Sequence, residues 1–369
     1  MDFSFSEDQE TLRAHIKELL DDVCSPEYAE RCDSDATPPR EAYQALAKHG
    51  WFGLILPVEY GGTGGSAIDL AILLEEAGRH FEELAMWLFR TLTYGGYAVM
   101  KHGTRAQREA MLPKVVRGEL SFCFGLTEPQ SGSDAAALAT RASCVEGGYV
   151  INGQKIFTSG MDISDYCLLV TRTSTQARQQ QGITNFLVDT KLPGIEVRKI
   201  KTLGQRAIGT TQVFYTDVKV PASAVLGAVD QGWEAVDSYL WYERVCLSAA
   251  RTGAATAAFD YALEYAKNRK AFGEAIAQRQ SIAFMLAEMF VDIDAARLMI
   301  WETAWLLDEK RDATRAACLA RNFADEMALM VTDRAVQILG GHGYIRDYPV
   351  EMWLRNARGF AVMEGIAIV

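Results

Sequence analysis

The residues best suited to chemistry lie in one stretch, from Phe122 to Gly160, which begins FCFGLTEPQSGSDAAAL and ends YVINGQKIFTSG. Its first half turns at Thr127 and continues through small polar residues to Asp134. Glycine and serine in such a turn let backbone N–H groups approach a ligand closely, and clustered backbone donors suit phosphate oxygens. Its second half places the ring of Phe157 before two hydroxyls, which suits a flat ring system with a polar rim. An ordinary turn and hairpin would have the same composition, so the residues alone leave both interpretations open.

The order of these motifs resembles that of the acyl-CoA dehydrogenases, flavoproteins that desaturate acyl-CoA thioesters. The chain has TEPxxGSDA, and NGxKxFTSG begins about twenty-five residues later. The resemblance implies that this stretch holds FAD, with the ring of Phe157 near the isoalloxazine. The FAD-binding residues that it implies here are Phe124, Leu126, Thr127, Gly132, Ser133, Phe157, Thr158 and Ser159.

Two later stretches resemble other elements of that family. NRKAFG at 268–273 resembles its RKxFG element, and QILGGHGY at 337–344 resembles its QxxGGxGY turn. The resemblance implies that both reach the FAD pyrophosphate and adenine of a neighbouring subunit. An arginine suits a diphosphate because its planar fork binds two oxygens at once. Without the resemblance, NRKAFG is a helix end with a glycine cap. The implied residues are Arg269, Phe272, Gln280, Gln337 and Gly341.

Desaturation between Cα and Cβ of a thioester needs a base for the α-proton and an acceptor for the β-hydride. No amino-acid side chain accepts hydride, so a flavin must. The resemblance implies a catalytic Glu just before a Gly near the C-terminus, which is Glu364 here. A subset of the family uses the Glu of a Glu-Arg pair on the first long C-terminal helix, and Glu243 with Arg244 forms such a pair. We favour Glu364, with Glu243 as neighbour or substitute, although both acids could instead be solvated.

Several bulky residues align loosely with family contacts to the acyl chain and CoA. The stretch from Met86 to Tyr94 would restrict a long straight chain, which favours a short, branched or cyclic acyl group. The same aromatics would equally suit a core. The substrate-binding residues that the resemblance implies are Ser133, Tyr94, Trp241, Tyr242 and Arg244.

The elements that must position these residues fall into three groups along the chain. Residues 1–120 read as helices, the first opened by a capping box at Ser6 and Gln9. From 121 to 229 the hydrophobic pattern alternates, with about six strands separated by Gly, Asn, Asp and Pro. Residues 230–369 contain four long helical segments. The N-terminal helices are expected at 40–49, 69–81, 85–101 and 105–116, and the C-terminal ones at 232–268, 278–308, 312–339 and 349–363.

This order predicts an α+β fold: an all-α N-terminal domain, a small antiparallel β-barrel or sandwich in the middle, and a C-terminal four-helix bundle. The acyl-CoA dehydrogenases have the same architecture.

The net charge of −11 over 369 residues argues against binding to nucleic acid, because no basic face is available to neutralise phosphates. No apolar run reaches the ~18 residues that span a bilayer.

The seven cysteines are scattered, odd in number and never arranged CxxC, which indicates reduced thiols and no metal site. The N-terminus lacks the features of a signal or transit peptide. We therefore expect a cytoplasmic protein.

The motifs together imply an FAD-dependent acyl-CoA dehydrogenase that transfers the β-hydride to flavin N5 and is reoxidised by an electron-transfer flavoprotein. A homotetramer or homodimer is expected. The alternatives are an acyl-CoA oxidase, an enoyl-CoA reductase, one subunit of a heterotetrameric dehydrogenase, or a non-catalytic acyl-CoA-binding subunit. One departure concerns the family's EGT motif, where Ile366 replaces the Thr and the following helix is missing. This departure bears on flavin affinity and oligomer geometry.

Overall fold

The structure is a computed structural model that describes residues 4–363. The helices are α1 (Glu7–Val23), α2 (Pro26–Asp35), α3 (Arg40–Lys48), α4 (Ala67–His80), α5 (Glu82–Arg90), α6 (Ala98–His102), α7 (Arg105–Val116), α8 (Gly232–Asn268), α9 (Gln280–Asp308), α10 (Thr314–Leu339) and α11 (Val350–Phe360). The strands are β1 (Phe122–Gly125), β2 (Arg141–Val145), β3 (Gly148–Ser159), β4 (Tyr166–Arg172), β5 (Ile183–Asp189), β6 (Ile195–Ile200), β7 (Thr210–Pro221), β8 (Val225–Leu226), β9 (Lys270–Ala271) and β10 (Glu274–Ala275).

Local capping chemistry defines the first helices. The predicted capping box is confirmed, because the Gln9 N–H donates to Ser6 Oγ at 3.2 Å and the Ser6 N–H donates to the Gln9 side chain at 3.1 Å. Helix α2 was not predicted, although Ser25 caps it and Pro26 occupies its first turn. Both residues are ordinary helix-start signals, so this element was available from the sequence.

The prediction of a single helix over 85–101 is wrong, because the chain changes there from α-helical to π-helical winding and back. Helix α5 ends at Arg90, a π-helical segment runs from Thr91 to Tyr97, and α6 follows. The segment packs against β1, where the Phe122 N–H donates to Thr91 Oγ1 at 3.2 Å. A Cβ at Gly95 would lie 2.2 Å from the Phe122 ring. Glycine at this position therefore permits the close approach of β1, which the helical pattern of the sequence did not reveal.

The middle of the chain forms one eight-stranded sheet in the order β6-β7-β3-β2-β4-β5-β8, with β1 beside β4. The prediction of an antiparallel sheet is only partly right, because β1 pairs with β4 in parallel and β2 meets β4 in parallel at Arg141 and Arg172. Strand β1 escaped prediction because its four residues lie within a longer apolar run. The predicted hairpin turn joins β2 to β3, with Gly147 at φ 81°.

Helix α8 connects the two helical groups. Its first half lies in the core shared with the N-terminal helices, and its second half lies in the core of the C-terminal helices. Two glycines let it touch α4: a Cβ at Gly78 would lie 2.1 Å from the Ala250 carbonyl, and one at Gly253 would lie 2.0 Å from the Glu75 carbonyl. Such contact fixes the side chains of α8 relative to those of the N-terminal helices.

Candidate active site

The turn that follows β1 is fixed to β3 by a buried lysine. Lys155 Nζ donates to the Leu126 carbonyl and to Glu128 Oε1, both at 2.8 Å, and the Ile156 N–H donates to the Thr127 carbonyl at 2.9 Å. Burial lowers the pKa of Lys155 to about 8. Burial also favours the neutral form of Glu128, but the adjacent Lys155 outweighs it and the pKa of Glu128 is lowered. The turn is therefore held as a charged, fully buried pair.

The outer part of this turn offers backbone donors. Gly132 and Ser133 are exposed, and a Cβ at Gly132 would meet nothing within 4 Å. Neither N–H makes a hydrogen bond within residues 4–363. Unused N–H groups in an open glycine turn form the kind of concavity that binds anions, so the turn fits a phosphate-bearing ligand.

Strand β3 ends with an open aromatic ring. Phe157 is 61% exposed and has a φ of 58°, in the left-handed region that a bulky residue seldom adopts. Ser159, two residues on, is half-buried and its Oγ lies 3.1 Å from Thr210 Oγ1. Thr158 between them is buried, and its hydroxyl has no hydrogen-bond partner among the described residues. The Ile156 N–H, next to this ring, donates to the Thr127 carbonyl and so joins the end of β3 to the start of the turn. An exposed ring and unused N–H groups on joined segments fit a flat cofactor that carries phosphates.

An aromatic wall joins the π-helical segment, β1 and α8. Tyr94 stacks on Phe124 with ring centroids 4.6 Å apart, and Tyr239 meets the two rings edge-on at 5.8 and 5.7 Å. The structure thus brings together two residues that the sequence assigned separately, Tyr94 to the substrate and Phe124 to the cofactor. Tyr239 was missed, although it lies one helical turn before Glu243 and so shares its face of α8.

Two buried ionisable residues interact with this wall, Arg90 with Tyr94 and Glu243 with Tyr239. Glu243 is buried on α8, and Arg90 is buried at the end of α5. Burial lowers the pKa of Arg90, while Tyr94 and Glu243 are among the groups that favour its charge. Arg90 was not predicted as a site residue, since helical spacing indicates only that it is buried. The other predicted base, Glu364, lies outside the residues that the structure describes.

The remaining predicted substrate residues lie on the same turn of α8. The Arg244 guanidinium lies 4.5 Å from the centroid of Trp241, and the ring of Tyr242 lies 4.0 Å from that of Tyr97. All three α8 residues are half-buried. They are neighbours of Glu243 but do not form part of the wall made by Tyr94.

A second set of predicted FAD residues lies at the far end of the C-terminal helices. Phe272 is 96% exposed with a φ of 54°, and the other four predicted FAD residues of this set are also exposed. Tyr265 holds the glycine turn against α8, with its hydroxyl 2.9 Å from His342 Nδ1. Within the described chain, no hydrogen bond or ion pair joins this set to the turn after β1. The exposed companions are Arg269, Gln280, Gln337 and Gly341.

Two further searches covered the described residues. No helix there is long and apolar enough to cross a membrane. No group of three or more His, Cys, Asp or Glu side chains that could hold a metal ion occurs in that part of the chain.

Three family models match the chain in order. They are the acyl-CoA dehydrogenase N-terminal domain over residues 6–119, the middle domain over 123–218 and the C-terminal domain over 230–367. The chain therefore belongs to the acyl-CoA dehydrogenase family, and both the predicted family and the predicted fold class are confirmed.

Curated relatives align over almost the whole chain. The 3-(aryl)acrylate reductase of Clostridium sporogenes is 34% identical, over 99% of this chain and 97% of the relative. The caffeyl-CoA reductase–Etf complex subunit CarC of Acetobacterium woodii is 33% identical, over 99% and 96%. The short-chain specific acyl-CoA dehydrogenase of Clostridium acetobutylicum is 32% identical, over 100% and 97%.

Solved structures agree closely with the fold. Butyryl-CoA dehydrogenase of Megasphaera elsdenii has a TM-score of 0.94 and 31% identity, over 99% of this chain and 96% of that chain. A chain solved in work on the electron-transferring flavoprotein of Acidaminococcus fermentans has a TM-score of 0.95 and 30% identity, over 99% and 96%. The FAD complex of PigA has a TM-score of 0.93 and 25% identity, over 100% and 97%. The predicted class, an oxidoreductase acting on the CH–CH bond of an acyl-CoA, is confirmed.

Proposed function

We propose that this chain desaturates an acyl-CoA between Cα and Cβ at the site formed by the turn after β1, the end of β3 and α8. FAD is the cofactor, as the family and the FAD-bound neighbour indicate. One observation carries the proposal: the exposed ring of Phe157 and the unused N–H groups of Gly132 and Ser133 belong to two segments that the Ile156–Thr127 hydrogen bond joins. Those residues fit a flavin and its phosphates, because they provide an aromatic face and anion-binding donors on joined segments.

We assign a separate role at this site to each group of residues. The Gly132–Ser133 turn binds phosphate, and Phe157, Thr158 and Ser159 hold the ring system. FAD, when bound, accepts the β-hydride. Tyr94, whose ring stacks on Phe124, excludes water from the acyl group, which strengthens electrostatic interactions inside the site.

A carboxylate base takes the α-proton. We assign this role to Glu364, with Glu243 as neighbour or substitute. A base so placed contributes ~10²–10⁴-fold to the rate. Glu243 is buried on α8, one helical turn after Tyr239 of the aromatic wall.

The exposed residues at the end of the helical bundle support an assembly in which they reach a second copy of the chain. Arg269, Phe272, Gln280, Gln337 and Gly341 would complete the FAD site of a neighbouring subunit. Large apolar side chains are exposed along α9, which marks an interaction surface. They are Phe284, Phe290, Val291, Leu298 and Trp305. A homotetramer or homodimer accounts for both features.

An electron-transfer flavoprotein is the proposed electron acceptor. One relative is a subunit of a caffeyl-CoA reductase–Etf complex, and a structural neighbour comes from work on an electron-transferring flavoprotein.

The seven cysteines form no disulfide, which favours a reducing compartment, and we place the enzyme in the cytoplasm. We also propose that residues 1–120, 121–229 and 230–369 are the three domains.

The reverse reaction, reduction of an enoyl-CoA, is a second candidate. Relatives at 34%, 33% and 32% identity are named 3-(aryl)acrylate reductase, caffeyl-CoA reductase subunit and acryloyl-CoA reductase. The site chemistry suits either direction, because the same base can return a proton to Cα. The direction depends on the substrate and on the potential of the electron partner.

The deciding experiment follows the flavin colour of the purified holoprotein without oxygen. We expect an acyl-CoA from a panel of short, branched and cyclic thioesters to bleach the flavin, and the electron-transfer flavoprotein to restore its colour. If reduced enzyme is reoxidised by enoyl-CoAs while acyl-CoAs leave it yellow, the reductase is supported, and reoxidation by oxygen during turnover indicates an oxidase. Protein that binds no FAD, or holds FAD that no thioester reduces or reoxidises, contradicts the proposal.

A further inference from the structure

Arg90 is a buried cation that the proposed reaction does not use. It is 4% exposed, and its Nη1 has no hydrogen-bond partner among the residues that the structure describes. The buried arginines Arg251 and Arg321 both form ion pairs with Asp325. Arg90 has no ion pair within that part of the chain. A buried guanidinium without a partner is costly, and a ligand that brings an anion to it would remove that cost.

The guanidinium interacts electrostatically with two residues of the proposed acyl site, Tyr94 and Glu243. Its carbon is 5.4 Å from the ring centroid of Phe89. Groups that favour its charge come from the aromatic wall and from α8 as well as from α5. They are, in decreasing order of effect, Tyr94, Cys123, Glu243 and Glu83.

Two of those neighbours supply little negative charge at neutral pH. Burial raises the pKa of the Cys123 thiol well above its usual value, so the thiol stays neutral. Burial also raises the pKa of Glu83 to about 8, and its Oε2 already accepts the Ile208 N–H at 2.7 Å. The other two, Tyr94 and Glu243, belong to the proposed acyl site. The guanidinium therefore retains donors and charge for a ligand.

We propose that Arg90 binds a carboxylate at the distal end of the acyl group, which makes ω-carboxyacyl-CoA thioesters the preferred substrates. This inference rests on the proposed function and names the substrate class of the same site. A guanidinium binds a carboxylate through two parallel N–H···O bonds, and such charge-assisted bonds are the strong ones in proteins. The thioester end of such a substrate would lie at the flavin and its carboxylate at α5.

The test compares substrates of equal length with and without the carboxylate. The pairs are glutaryl-CoA with valeryl-CoA, adipyl-CoA with hexanoyl-CoA, and suberyl-CoA with octanoyl-CoA. For the wild-type holoenzyme we expect kcat/KM, measured with an artificial electron acceptor, to favour the carboxylated member of at least one pair by about 10-fold or more. Arg90→Met should lower that ratio by about 10- to 100-fold, as expected for losing hydrogen bonds to a charged group. Arg90→Lys should keep part of the preference.

Arg105→Met is the matched control, because Arg105 is an exposed arginine paired with Glu109 on α7. It should leave the ratio at the wild-type value. FAD content and thermal unfolding of each variant report whether it folds. If Arg90→Met does not fold, the inference is tested by the wild-type preference and by the Arg90→Lys ratio, which should lie below the wild-type ratio.

Three results would overturn the inference. One is a wild-type enzyme that prefers the uncharged member of every pair. Another is an Arg90→Met enzyme with an unchanged ratio. The third is equal loss of kcat on both members with a shifted pH profile, which would make Arg90 a positioning residue for Glu243. Failure of the proposed function differs from all three, because no thioester would then reduce the flavin at all.

Discussion

At the scale of single residues, two side chains of the site are held in conformations or surroundings that lower the stability of the fold. Phe157 holds a left-handed φ with most of its ring exposed, and Arg90 is buried with an unused donor. Backbone strain and a buried unpaired donor each cost on the order of 1–3 kcal/mol. Arg90 interacts with Tyr94 of the aromatic wall, and Phe157 ends the strand that holds the turn after β1. The cost therefore falls in the segments to which we assign ligand binding.

Glutamine substitutions distinguish the two candidate bases. We expect Glu364→Gln to slow reduction of the flavin by acyl-CoA by ~10²–10⁴-fold while FAD stays bound, because the amide cannot take the α-proton. Anaerobic stopped-flow absorbance measures this rate in holoenzyme. Glu243→Gln is the companion variant and should have the smaller effect. Full-rate reduction in Glu364→Gln together with loss in Glu243→Gln would transfer the role to Glu243.

The sequence predicted some of these residues well and others not at all. Phe157, Gly132 and Ser133 could be found because a glycine turn and an aromatic before hydroxyls are local patterns. Arg90 and Tyr239 could not, because the helical period indicates burial without indicating which residue of another element lies opposite. Their meeting depends on how α5 and α8 pack.

At the scale of elements, the site depends on one buried ion pair that joins β3 to the turn after β1. Lys155 of β3 reaches the Leu126 carbonyl and Glu128, and Glu128 also accepts the N–H groups of Ala139 and Thr140 at 2.6 and 2.9 Å. The same carboxylate thus ties together the start of the turn and the residues that leave it. Removing one partner would leave the other buried and uncompensated.

We expect Lys155→Met to lower the free energy of unfolding by ~3–5 kcal/mol, the usual cost of breaking a buried pair, and to weaken FAD retention. Urea unfolding and the FAD content of purified protein measure the two effects. Arg105→Met breaks the exposed Arg105–Glu109 pair and should leave the free energy of unfolding almost unchanged, because water screens that pair. Equal small losses in both variants would show that the Lys155 pair does not hold the turn.

Element prediction succeeded where the hydrophobic period was long and regular. The bounds of α8 match the predicted segment of 232–268, and α9 and α10 begin two residues later than predicted. It failed at α2, β1 and the helix predicted over 85–101. The start of α2 was a readable signal at Ser25 and Pro26. The other two elements are short or change period, so tertiary packing rather than a repeating pattern decides their form.

At the scale of the whole molecule, the FAD residues fall into two sets without direct bonds between them in the described chain. One set surrounds the turn after β1, and the other surrounds Phe272 at the end of the bundle. The exposed apolar side chains of α9 lie in the same helical group as the second set. These features favour a cofactor site that is complete only when two copies of the chain meet.

Dilution should therefore release FAD. Phe290→Ser removes an exposed apolar side chain from α9, and we expect it to shift the protein to smaller assemblies. Because assembly and FAD binding are linked, this variant should lose FAD at higher protein concentrations than the wild type. Arg269→Met should weaken FAD binding by about 10-fold while the assembly keeps its mass. Light scattering and the fluorescence of released FAD measure both.

Val58→Ser provides the surface control, because Val58 is exposed on the loop before α4. It should change neither the mass nor the FAD content. A monomeric wild-type protein that retains FAD on dilution would contradict the two-copy site.

The π-helical segment from Thr91 to Tyr97 suggests how this scaffold would acquire a new acyl preference. Its wider winding holds one residue more than an α-helix needs over the same length. Deleting a single codon there would let the segment tighten to α-helical winding, while α5 and α6 on either side keep the faces that they now pack. In-frame deletion libraries across the segment would therefore change the wall at Tyr94 in one step and leave the neighbouring helices in place.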